Sequence, residues 1–178
     1  MKSKTLSSHT SPRVWPPGEY CIYQYGRQCP SGFKSGYITW LDTKQFPSNN
    51  KIEGSVPRGN YTQNTTTIFF CCRSDGSAEN YIELPTTSPF YLLRYGKLCQ
   101  KVKGMTPSSQ YFHFNEDIDP RYPSTEKSAD MIDGISKYGS PHPFVDKSKY
   151  EKGIMLFYCY YDISDSLRGF RVTVDETG

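Results

Sequence analysis

The chain has little aliphatic content and no long apolar run. Hydrophobic residues make up 35% of its 178 positions, and the longest run, Ile154 to Tyr161, covers eight residues. A membrane-spanning helix needs about 18, so no such span is expected. Uninterrupted stretches of helix formers are also missing. Fourteen glycines and thirteen prolines punctuate the sequence, which excludes a helical bundle. No pair of cysteines has zinc-ligand spacing, and the adjacent Cys71 and Cys72 are badly placed to share one ion, so no metal or cofactor is expected. Charge of one sign is not in excess either. Twenty-one Lys and Arg against eighteen Asp and Glu leave a scattered net +3, without the clustered basic footprint of a nucleic-acid binder. Residues 1–14 are polar and lack the apolar stretch of a signal peptide. They read as a tail or linker: what remains after a signal is trimmed, part of a longer chain, or the start of a cytosolic protein.

Aromatic residues are plentiful. Tyr, Phe and Trp form 15% of the chain, with fifteen tyrosines alone. Such side chains can fill a core, which argues against disorder, and they favour short strands joined by turns. Six cysteines, an even number, suggest a disulfide framework. Two glycosylation sequons, Asn60-Tyr61-Thr62 and Asn64-Thr65-Thr66, point the same way, towards an oxidising, extracellular setting.

The sequence also repeats itself. Ile22 to Cys29 (IYQYGRQC) matches Leu92 to Cys99 (LLRYGKLC), and Tyr37-Ile38-Thr39-Trp40 resembles Tyr111-Phe112-His113-Phe114. Gly54-Ser55 with Pro57 resembles Gly139-Ser140-Pro141, and Ile68 to Cys71 resembles Leu156 to Cys159. The four matches keep one order. They predict an all-β, disulfide-bonded antiparallel β-sandwich of about eight strands, built from two related halves. Strands are expected at Tyr20 to Tyr25, Tyr37 to Leu41, Thr65 to Arg73, Asn80 to Leu84, Phe90 to Tyr95, Tyr111 to Phe114, Ile154 to Tyr161 and Phe170 to Val174, with one short helix after Ser124. If the halves fold alike, Cys29–Cys71 and Cys99–Cys159 are equivalent bridges, leaving Cys21–Cys72; a vicinal Cys71–Cys72 bond is the alternative.

A set of ordered motifs resembles the C-terminal domain of apextrin, the ApeC family. The motifs are Trp15-Pro16-Pro17-Gly18-Glu19-Tyr20, Cys29-Pro30-Ser31-Gly32-Phe33, Gly36-Tyr37-Ile38-Thr39-Trp40, Phe70-Cys71-Cys72-Arg73-Ser74-Asp75-Gly76, Ile82-Glu83-Leu84-Pro85, Pro89-Phe90-Tyr91-Leu92-Leu93, Cys99 to Met105 and Tyr158-Cys159-Tyr160-Tyr161. The resemblance places the domain at residues 15–162 and leaves 163–178 as a C-terminal extension. It implies a secreted module of invertebrate innate immunity that binds bacterial cell-wall glycan or peptidoglycan. The other role it implies is adhesion in a matrix, or targeting for a membrane-attack-complex/perforin-type domain in the same or a partner chain. The family's acidic stretch after the Trp40 position is here Leu41-Asp42-Thr43-Lys44-Gln45, which puts a cation site there in doubt.

Catalytic machinery is not expected. His9, His113 and His142 have no matched nucleophile, and no serine sits in a nucleophile elbow. The loop Asn115 to Pro143 is acidic, with Asp117 and Asp119, but lacks EF-hand spacing. Tyr122, Tyr138, Tyr150, Tyr160 and Tyr161 are candidates for an aromatic platform that stacks on sugar faces. The ligand is therefore expected on this second loop, at Tyr122, Tyr138, Asp117 and Asp119, with Arg73 as a neighbour; Arg73 could equally pair with Asp75.

Overall fold

A computed structural model describes residues 14–41, 54–62, 65–114, 135–147 and 154–164. Within them lie nine strands and no helix: β1 (Glu19–Tyr23), β2 (Lys34–Leu41), β3 (Gly59–Tyr61), β4 (Thr65–Ser74), β5 (Phe90–Arg94), β6 (Met105–Phe114), β7 (Ile135–Gly139), β8 (Val145–Lys147) and β9 (Ile154–Ile163). All strand pairs are antiparallel and belong to one hydrogen-bonded sheet, ordered β6-β9-β5-β1-β4-β2-β7, with β3 on β4 and β8 on β9. The expected all-β, disulfide-bonded class is observed, with nine strands rather than about eight. Asn80 to Leu84 does not form a strand; it contributes a single parallel bridge, Ile82 to Val102. The expected helix after Ser124 and the strand at Phe170 lie outside the described residues.

The two halves are related strand by strand. β1, β2, β3 and β4 correspond to β5, β6, β8 and β9, and the registers coincide. Ile22 faces Cys71 as Leu92 faces Cys159. Tyr37 faces Phe69 as Tyr111 faces Phe157. Gly59 faces Ile68 as Val145 faces Leu156. Even the irregular hydrogen bonds repeat: Arg58 N–H donates to the Gln24 carbonyl at 2.6 Å, and Phe144 N–H to the Arg94 carbonyl at 2.5 Å. β1 and β5 pair with each other around the matched residues Ile22 and Leu92, with Tyr20 opposite Arg94 and Cys21 opposite Leu93. A pseudo-two-fold therefore passes through the middle of the sheet. Among the described strands, only β7, on the outer edge of β2, has no counterpart. Gly36 permits this extra pairing: a Cβ there would lie 1.7 Å from the Pro141 carbonyl oxygen just beyond β7.

The disulfides are Cys29–Cys71, Cys99–Cys159 and Cys21–Cys72, and no described cysteine is free. The first two are equivalent under the repeat. Adjacent Cys71 and Cys72 choose different partners because neighbouring strand side chains point to opposite faces.

Alternation also divides the core into two clusters. One gathers Cys21, Ile38, Trp40, Phe70, Cys72, Leu93 and Leu156. The other gathers Tyr20, Leu92, Met105, Cys159 and Tyr161 under Ile82 and Val102, which come from the connections flanking β5. Pro107 sits in β6, where it removes no shared hydrogen bond because β6 is an edge strand.

Candidate functional site

The first cluster's face is closed over the first half and open over the second. There a groove of about 590 Å³ runs across the sheet, lined by Cys21, Ile22, Tyr23, Tyr91, Leu92, Leu93, Phe112 and Tyr158. That volume lies within the range of small-ligand clefts. Strand order puts Tyr23 on β1, Tyr91 on β5, Tyr158 on β9 and Phe112 on β6; Tyr91 is opposite Tyr160, Tyr158 opposite Leu93 and Phe112 opposite Leu156, so the aromatic side chains form a row that crosses the strands obliquely. Phe112 stacks on Tyr158 with centroids 4.7 Å apart. Tyr91 meets Tyr158 at 5.3 Å and Tyr160 at 5.0 Å. The row is nonetheless accessible: Tyr91 is 61% exposed, Phe112 51% and Tyr23 41%. Its rigidity comes from below, where Cys21 and Leu93 are buried.

Among the described residues, no charged side chain lines the groove. Burial raises the Tyr23 phenol above its ordinary pKa, helped by the nearby Tyr61, so Tyr23 is an uncharged donor or acceptor at neutral pH. Along one rim the Tyr158 hydroxyl donates to Gln110 Oε1 at 3.0 Å. Gln110 Nε2 reaches Ser108 Oγ at 3.5 Å.

The residues expected to bind are distributed differently. Tyr122, Asp117, Asp119 and Tyr150 lie outside the described residues, as does Asn64. Tyr138 lies on β7 opposite Ile38, at the other end of the strand order from Phe112. Tyr160 joins the ring row. Tyr161 is core: it is fully buried, donates to the Gln100 carbonyl at 2.7 Å, and its phenol pKa is pushed up by burial. Asn60 is exposed on β3.

Arg73 is engaged within the protein. It is 6% exposed, forms a two-pronged ion pair with Asp75, and donates from Nη1 to the Trp15 carbonyl at 2.6 Å. Asp75 also accepts from the Gly18 N–H. The hydrogen bond from Arg73 is the main reason that the Asp75 carboxyl is lowered to about 2. Gly32, at φ 86°, lies against the guanidinium, 2.6 Å from where a Cβ would be. The pair thus ties residues 15–18 to the end of β4. Nearby, Tyr20 donates to the Pro16 carbonyl at 2.7 Å, and burial pushes its phenol up to about 12.

The family model for the C-terminal domain of apextrin, ApeC, matches residues 1–161. This chain belongs to the ApeC family. The match includes residues 1–14, which the sequence suggested were a tail. No curated protein and no solved structure matches the chain. Of the ring row, only Tyr160 was among the residues that the sequence offered for an aromatic platform; Tyr23, Tyr91, Phe112 and Tyr158 were not. The signal that could have found them is alternation: Cys159 is tied into the core, so Tyr158 and Tyr160 must share the opposite face.

Proposed function

We propose that this ApeC domain is a secreted, non-catalytic recognition module of innate immunity that binds bacterial cell-wall glycan or peptidoglycan through the groove between β1 and β6. The observation that carries the reading is the row of exposed rings over a rigid, buried floor. Sugar rings present C–H faces that pack on aromatic surfaces, while phenol and amide groups hydrogen-bond their hydroxyls. Three disulfides suit an oxidising compartment. N-glycosylation at the exposed Asn60 belongs to the same reading. The second loop, with Tyr122, Tyr138, Asp117 and Asp119, would then extend or modulate the site.

The test is co-sedimentation with insoluble peptidoglycan, beside a fibrillar matrix protein such as collagen. Retention on peptidoglycan that falls at least about fivefold in Tyr91→Ala supports the proposal. Retention on collagen alone favours an adhesive module instead. Failure to bind either favours a targeting domain that acts only alongside a perforin-like partner.

A further inference from the structure

We infer that the outer edge of β6 is a self-association surface, to which a second copy of this chain adds its own β6 as an antiparallel neighbour.

Among the described residues the sheet path ends in two outer strands, β7 and β6. They differ in the features that keep a sheet edge from recruiting another strand. β7 is short, Ile135–Gly139, with Lys137 at its middle. β6 is twice as long, Met105–Phe114, and carries no Lys, Arg, Asp or Glu. Its register with β9 runs from Met105 opposite Ile163 to Phe114 opposite Ile154 without a bulge. At alternate residues its backbone N–H and C=O groups point away from β9. The one residue that blunts this edge, Pro107, stands near its start, which leaves Ser108 to Phe114 as a continuous stretch able to pair.

The repeat shows what such an edge accepts. β2 is the counterpart of β6, and β7 lies antiparallel along it from Tyr37 to Trp40. Gly36 to Thr39 are there buried or half-buried, whereas the matching residues Gln110 to His113 are all exposed. Tyr111 and Phe112 point to opposite faces of the sheet and are 52% and 51% exposed. Apolar surface is therefore open on both sides of the strand, and one added strand would cover both rings.

A second copy is the occupant that fits. An uncharged strand faces itself without setting like charges opposite each other, and a two-fold dimer needs only one kind of surface. With Pro107 outside the paired stretch, the midpoint of Ser108 to Phe114 is Tyr111, so Tyr111 meets Tyr111 of the second copy. The strand expected at Phe170 to Val174 fits less well. The chain leaves β9 at Ile163, opposite Met105, and from there to Phe170 it reaches at most about 25 Å. The far end of β6 is roughly 30 Å away, so that segment would have to enter parallel to β6, unlike β7 on β2. A two-fold perpendicular to the sheet keeps both Phe112 side chains on one face, so the two grooves open in the same direction.

The test is sedimentation velocity of the whole chain from about 1 μM to about 500 μM, with amide hydrogen exchange followed at both ends of the series. The mass should rise from that of one chain towards that of two. The amides of Ser108 to Phe114 should then exchange at least about fivefold more slowly, with those of β7 unchanged. Tyr111→Lys and Tyr111→Glu, which each set like charges across the two-fold, should separately weaken association by at least about fivefold. An equimolar mixture of the two variants should restore it, which also shows that both fold.

The inference is overturned if the chain stays monomeric throughout, if a dimer forms without added protection in β6, or if Tyr111→Lys associates as tightly as the parent. Failure of the mixture to associate, with both melting curves intact, overturns it as well. So does slow exchange of the β6 amides already in the monomer, which would put another segment of the same chain on that edge.

Discussion

Cys21 and Tyr91 occupy the same place in two copies of one four-strand unit, and so do Ile38 and Phe112. In the first half both positions are fully buried; in the second Tyr91 is 61% and Phe112 51% exposed. The backbone frame is shared, so the difference comes from side chains and from one added strand. Where the first half joins β1 to β4 with the Cys21–Cys72 disulfide, the second sets Tyr91 against Tyr160. Where β2 has β7 on its outer edge, the equivalent β6 has no described strand beyond it in the sheet. A small covalent pair and an extra strand close one copy. Two large rings on β5 and β9, beside the outer strand β6, leave the other open. Equivalent scaffolds can thus be divided between stability and surface.

The largest test of this equivalence is covalent. Cys99→Ser should cost about 2–5 kcal/mol, and the Cys99/Cys159 double variant should cost the same, because either breaks one bridge. Cys29→Ser should cost nearly as much as Cys99→Ser, since the two bridges span 42 and 60 residues and loop entropy separates these by less than about 0.5 kcal/mol. Denaturant unfolding measures all three. A silent Cys29→Ser would show that the halves are alike in shape but not in energetics.

Next come the paired core positions. Ile38→Ala should destabilise by about 2–4 kcal/mol, as removal of a fully buried aliphatic side chain does. Phe112→Ala, at the matching position, should cost less than about 1 kcal/mol, because half of the ring is already in water. Equal costs in thermal melts would mean that the second half's face is covered by something the comparison does not include.

The smallest effect concerns Arg73 and Asp75, which have no counterpart pair in the second half: their repeat equivalents on β9 are Tyr161 and Ile163. The Asp75 carboxyl is lowered to about 2, against about 3.9 in an unfolded chain. A depressed carboxyl stabilises the fold fully above its unfolded pKa and loses that contribution as pH falls through the folded value. Stability should therefore drop between about pH 4 and pH 2, and Asp75→Asn should flatten that part of the profile. The side chain is 45% exposed, so the amount is about 1 kcal/mol after solvent screening. An unaltered acid profile in Asp75→Asn would remove the pair from the account.

Much of the frame could be read from the sequence because the repeat carried it. Matching Cys29 with Cys99 and Cys71 with Cys159 was enough to rank the bridges, and the aromatic strands stood out by their β-rich runs. The short strands β3 and β8 escaped because three residues such as Gly59-Asn60-Tyr61 are too few to show a period; they exist through pairing with β4 and β9. β6 starts six residues before its aromatic motif, since Met105 to Gln110 is held by β9 rather than by its own propensity. The groove was harder to see. Tyr91, Tyr158 and Phe112 look like ordinary strand residues, and only the sheet order shows that three separate strands bring them into one row. Arg73 and Asp75 were legible as neighbours, but their burial depends on Trp15, fifty-eight residues away in sequence.

The central claim is that the open face of the second half is the recognition surface. Its most direct test is insoluble-peptidoglycan sedimentation of the Tyr91→Ser/Phe112→Ser double variant beside Tyr122→Ala/Tyr138→Ala, each with its melting curve. The account predicts that the first variant loses at least about tenfold in binding with its melting temperature essentially kept, and that the second keeps more of its binding. Full retention by the Tyr91/Phe112 variant, with loss confined to Tyr122/Tyr138, would contradict it and return the site to the second loop.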